Sequence, residues 1–86
     1  MATLRLFAAA REAAGTGRAA VDGATVGDVL DVARARFGEQ FAAVLARCRV
    51  WVNGEPAGDD HPVGVNDEVA VLPPVSGGAG ATSVAR

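Results

Sequence analysis

Hydrophobic and polar residues alternate at the start of the chain. Leu4, Leu6 and Ala8 interleave with Thr3, Arg5 and Phe7, the period of two that sets one face of a strand against a core. Ala9 to Ala14 reads as locally helical, and Gly15-Thr16-Gly17 breaks it before a second extended stretch, Arg18 to Val21, which closes at Asp22-Gly23. These two strands are expected to form a hairpin with a wide connection. Thr25-Val26-Gly27-Asp28 then approaches a capping box, with Thr25 accepting from backbone N–H groups and Asp28 at the positive end of a helix. Val26, Val29, Leu30, Ala33 and Phe37 fall on one stripe of that helix, and Gly38 stands where a left-handed C-cap would end it.

Phe41, Val44 and Leu45 suggest a shorter helical segment that lids the core. Arg49-Val50-Trp51-Val52 alternates again and runs into Asn53-Gly54, the strongest short-range signal for a tight hairpin turn. Gly58 to Pro62 is a polar loop, and Glu68 to Leu72 is a final strand stopped by Pro73-Pro74. The order is strand, strand, helix, strand, short strand, strand. It predicts an α+β fold, a mixed sheet of about five strands wrapped on one main helix. Residues 1–74 form the domain, and residues 75–86 form a glycine-rich arm without apolar periodicity, expected to be flexible.

Composition narrows the function. Eighty-six residues fit a single core, and a hydrophobic content of 50% is enough to fill it. Ten acidic residues oppose eight basic ones, with no basic stripe to neutralise phosphates, so nucleic acid is not an expected partner. All eight basic residues are arginine, which removes lysine as a Schiff-base amine or isopeptide acceptor. A single cysteine excludes an internal disulfide. No apolar run approaches the ~20 residues of a membrane span. The first residues do not read as a signal peptide, and a cytoplasmic location is expected.

Few side chains suggest chemistry of their own. Cys48 beside a strand start reads as a buried small hydrophobe, and His61, with only Asp59 and Asp60 near it, as a solvated histidine outside any metal site. Gly15-Thr16-Gly17 and Gly77-Gly78-Ala79-Gly80 lack the Lys-Ser/Thr and following helix of a phosphate loop. With no convergent acid–base pair and no activated nucleophile, the chain is not expected to be an enzyme on its own.

Three segments carry a family resemblance: Leu6 to Gly15, Val52-Asn53-Gly54, and Asp67 to Gly78, which ends Pro73-Pro74-Val75-Ser76-Gly77-Gly78. Together they resemble the MoaD/ThiS family of ubiquitin-like sulfur carriers, over residues 1–78. Within it the Pro-Pro-Val-Ser-Gly-Gly ending and the Arg-Glu opening are most similar to MoaD, the small subunit of molybdopterin synthase. The resemblance implies a ubiquitin-like β-grasp. It also implies a cycle in which a MoeB-like activating enzyme attaches AMP to the carboxylate of Gly78, with Gly77 beside it, and sulfur from a persulfide donor replaces the AMP. The thiocarboxylate is then delivered into a MoaE-like large subunit to build molybdopterin. By the same resemblance no bound cofactor is expected, only covalent AMP and then thiocarboxylate sulfur at Gly78. Related carriers supply cysteine or thiamine biosynthesis by the same tail, and a third reading is a ubiquitin-like interaction module that is never activated.

Docking requires a surface as well as a tail. If Leu4, Leu6, Val50, Val52, Val69 and Val71 face the helix, then Phe7, Trp51, Ala70 and Leu72 lie on the opposite face beside Arg5 and Arg49, an apolar patch rimmed by arginine. Pro73, Pro74 and Val75 lead from that patch to the glycines. The sequence departs from the family at one point. Gly78 is followed by Ala79 to Arg86, so its carboxyl is held in a peptide bond. The expectation is a precursor cut after Gly78 by a processing peptidase before it is charged, the alternatives being an extension that leaves the protein inactive as a carrier or a sequence that has taken another role.

Overall fold

The computed structural model of the protein describes residues 1–73. Eight elements follow one another: β1 (Ala2–Leu6), α1 (Ala8–Ala14), β2 (Arg18–Val21), α2 (Val26–Phe37), α3 (Glu39–Leu45), β3 (Arg49–Val52), β4 (Glu55–Pro56) and β5 (Glu68–Leu72). The strands form one sheet in the order β2-β1-β5-β3-β4. Among the described residues only the central β1–β5 pair is parallel. The mixed five-stranded sheet is what the element order predicts, and a sheet whose first and last strands lie side by side while helices cover one face is the ubiquitin-like β-grasp that the family resemblance implies.

Alternation in β1 sets the layers. Ala2, Leu4 and Leu6 are buried and Thr3 and Arg5 only half so. Leu4 and Leu6 lie opposite Val69 and Val71 of β5, and all four meet Val21, Val26, Val29 and Phe41 in the interior. Burying a side chain of this kind contributes about 1.5–3 kcal/mol. Phe41 of α3 is fully buried and Phe37 packs edge-on against it, ring centroids 5.2 Å apart.

The start of α2 is held from two directions. Thr25 Oγ1 accepts from the Asp28 N–H at 3.2 Å, while Asp28 Oδ2 accepts from the Ala24 N–H at 3.3 Å, one residue earlier than in a standard capping box. The Val26 and Gly27 N–H groups donate to the carbonyls of His61 and Asp59. This helix terminus therefore has no spare donors for an anion there.

Three expectations need correction. Gly38 adopts φ 93° and ψ −172°, positive but not the left-handed helical conformation, because α3 begins at the next residue and the chain must turn between two helices. Phe37 is half-buried and not fully on the buried stripe, since it sits in the last turn of α2, where the core ends. Val50 packs against the core yet is only half-buried, in a strand that has only the two-residue β4 between it and the edge of the sheet.

The hairpin turn behaves as its sequence requires: Asn53 (φ 50°) and Gly54 (φ 86°) both take positive φ. Asn53 is also a clip. Its Nδ2 donates to Asp67 Oδ1 at 2.9 Å, and its Oδ1 accepts from the Glu68 N–H at 3.0 Å. Asp67 Oδ2 accepts from the Gly64 N–H at 2.8 Å, so one carboxylate joins the β3–β4 turn to the approach to β5. The Asn53 amide, then the Gly64 N–H, hold the Asp67 carboxyl below the ordinary aspartate value. A lowered native value means that this stabilisation is complete above the unfolded value near 4 and is lost as pH falls through the native one. We expect Asp67→Asn to fall less steeply in urea midpoint between pH 6 and pH 3 than the unaltered protein. An equally steep fall would contradict the clip.

Candidate partner-docking face and terminus

Register assigns the face that the helices leave uncovered. Arg5 lies opposite Ala70, Ala70 opposite Trp51, and Trp51 opposite Pro56, so one row crosses four strands. In the next row Leu72 lies opposite Arg49, and continuation of the parallel register past Leu6 and Val71 brings Phe7 beside Leu72. Phe7 and Leu72 are 37% and 36% exposed, which marks an adjacent apolar pair left open to solvent. Phe7, Arg49, Trp51, Ala70, Leu72 and Pro73 line one shallow groove of about 750 Å³ together with Gly54 and Glu68.

Arg5 stands beside this groove in a fixed position. Its guanidinium carbon is 5.5 Å from the centroid of the Phe7 ring, and Nη1 donates to Glu68 Oε2 at 3.2 Å. Both partners of that ion pair are partly exposed, so its net contribution to stability is at most about 1 kcal/mol. Its effect is to orient the arginine and hold the Phe7 ring.

The residues predicted for partner binding thus meet on one surface as far as Pro73. Pro74, Val75, Gly77 and Gly78, with the arm from 75 to 86, lie outside the described residues. Sequence reading missed Glu68 and Arg18. Glu68 has the same parity as Ala70 and Leu72 in β5, and Arg18 lies opposite Arg5 on the same face. The period of two that placed Arg5 also places these.

Cys48 is half-buried and its Sγ donates to the Val44 carbonyl at 3.2 Å. Burial pushes its thiol up, away from the thiolate a nucleophile requires. His61 is exposed in its loop, and among the described residues no group of three or more His, Cys, Asp and Glu side chains is placed to hold a metal ion. Among the same residues no helix is long and apolar enough to cross a membrane.

Comparison with known proteins gives consistent results. The sequence model of the ThiS family matches residues 4–78. The crystal structure of SAMP1 from Haloferax volcanii is 37% identical, with a TM-score of 0.75 over 90% of this chain and 98% of that one. A putative molybdopterin converting factor, subunit 1, from Pyrococcus furiosus is 27% identical, with a TM-score of 0.76 over 86% and 97% of the two chains. A chain of the Amycolatopsis orientalis BexX/CysO complex is 25% identical, with a TM-score of 0.77 over 91% and 100%. The match of the family model through the glycine pair, on a β-grasp frame, establishes that this chain belongs to the ThiS family of ubiquitin-like sulfur carriers.

Proposed function

We propose that the protein supplies sulfur for molybdopterin synthesis as the non-catalytic small subunit of a synthase, its reacting group being the carboxyl of Gly78. The observation that carries this reading is the placement of β5. The central strand ends at Leu72, and Pro73, which follows it five residues before Gly78, lines the groove with Phe7, Trp51 and Leu72, so a partner gripping the groove is within reach of the terminus. Neither glycine carries a Cβ, which suits passage through a narrow channel in any backbone conformation.

The chemistry starts with hydrolysis of the Gly78–Ala79 bond by a peptidase. The freed carboxylate attacks the α-phosphorus of ATP on a MoeB-like enzyme and pyrophosphate leaves. A sulfur nucleophile from a persulfide donor then attacks the acyl carbon; the C–S bond forms, the C–O bond to AMP breaks, and a thiol reductant releases the donor to leave the thiocarboxylate. That group is itself the nucleophile in the MoaE-like subunit, and Gly78 is recharged for the second sulfur.

The Pro-Pro-Val-Ser-Gly-Gly ending and the likeness to the Pyrococcus furiosus protein favour the molybdopterin route. The likeness to a chain of the BexX/CysO complex favours a second reading, in which the same charged terminus feeds cysteine biosynthesis. Charged protein ending at Gly78, offered separately to a MoaE-like subunit and to a cysteine-synthase-like enzyme of the same cells, distinguishes them. We expect discharge on the MoaE-like subunit with conversion of the cyclic pyranopterin precursor to the dithiolene. Discharge only on the cysteine-synthase-like enzyme would overturn the molybdopterin assignment.

A further inference from the structure

Among the described residues the open face carries three arginines, Arg5, Arg18 and Arg49, and one carboxylate, Glu68, on a chain whose formal net charge is −2. Glu68 is already taken by Arg5. Arg18 and Arg49 are exposed and, among the described residues, neither is paired with a carboxylate. Between these cations lies a notch: Ala70, a single methyl, sits in a row between Arg5 and Trp51, with Phe7 and Leu72 rising at its end.

We propose that the docking partner is a folded protein surface that seats an apolar side chain over Ala70 and sets carboxylates against Arg49 and Arg18. This inference rests on the carrier reading and names the chemistry of its partner. A guanidinium stays charged at any working pH, so a purely apolar partner would desolvate Arg49 beside the groove without compensation. Carboxylates opposite Arg49 and Arg18 remove that cost, and because the rest of the chain is acidic the field of this face orients the encounter.

The sheet edges leave the face as the available surface. The Leu6 N–H donates to the Gly17 carbonyl, so in the antiparallel β1–β2 ladder Ala19 and Val21 bond to β1 while the backbone groups of Arg18 and Ala20 point outward. Those outward groups are largely taken. Thr16 Oγ1 donates to the Arg18 carbonyl at 3.0 Å and accepts from the Arg18 N–H at 3.4 Å, and Arg36 Nη1 donates to the Ala20 carbonyl at 3.1 Å. At the other edge β4 has two residues, and one of them, Pro56, has no N–H. Neither edge offers the row of free donors and acceptors that strand addition uses.

The test uses protein ending at Gly78, which keeps every core residue, and the MoeB-like activating enzyme of the same cells as probe. Affinity is measured at about 50 and 500 mM salt, and adenylation is followed in parallel by mass. We expect binding to weaken about tenfold or more at the higher salt. Arg49→Glu and Arg18→Glu should each weaken it about tenfold at low salt and flatten the salt dependence, with Arg49→Gln intermediate, whereas Arg34→Glu on α2 should leave it unchanged. Ala70→Phe, which fills the notch from the solvent side, should abolish it. If the unaltered chain binds and is adenylated, yet affinity ignores salt and all these face variants, the acidic partner surface is overturned and the carrier reading stands. If the chain neither binds nor is adenylated, both fall together.

Discussion

Leu72→Asp is expected to leave the domain folded and to weaken binding of both the activating enzyme and the large subunit by about a hundredfold or more, the scale of an interface hot spot. Leu72 is 36% exposed on the uncovered face, so its loss opens no cavity among Leu4, Leu6, Val69 and Val71. The new carboxylate harms docking in three ways. It removes an apolar contact of the groove, it places a charge where the partner would desolvate it, and it stands opposite Arg49, whose positive charge it offsets. Urea midpoints and dissociation constants measured on the same preparation separate the effects. A normal midpoint with unchanged affinity for both partners would remove this face from the account.

The residues that revealed this face in the sequence are those governed by short-range rules. Period-two alternation in β1, β3 and β5 decides which side chains share a side, whatever the neighbouring strands are, so Phe7, Trp51 and Leu72 were legible together. The Asn53-Gly54 turn and the Thr25 cap were legible because each is a local backbone requirement. What could not be read is long-range in origin. The Arg5–Glu68 pair and the Asn53–Asp67 clip join residues that only the parallel β1–β5 pairing and the β3–β5 register bring together. Gly38 ends α2 where its spacing places it but not in the left-handed helical conformation, because α3 begins at the next residue, and alternation alone did not show that Val50 is only half-buried while Val52 is buried. Glu68 escaped notice because an acidic residue did not suit an apolar patch, although its parity in the strand placed it there.

The second large effect concerns the peptide bond after Gly78. The full 86-residue chain offers the activating enzyme an amide at Gly78 and is expected to show no sulfur gain. The chain ending at Gly78 is expected to convert to the thiocarboxylate with ATP, a MoeB-like enzyme and sulfide. The electrophile exists only after a carboxylate oxygen has been joined to AMP, and an internal glycine has no such oxygen to give. Binding to the groove does not require the cut, so the two forms should differ in charging far more than in affinity.

The central claim is that Gly78 becomes a free, sulfur-bearing terminus in the cell. Intact-mass measurement of the protein recovered from its native cells tests it most directly. The account predicts a species lacking residues 79–86 and heavier by about 16 mass units than the carboxylate form, sulfur having replaced oxygen. A sulfur-bearing species that retains Ala79 to Arg86 would contradict it.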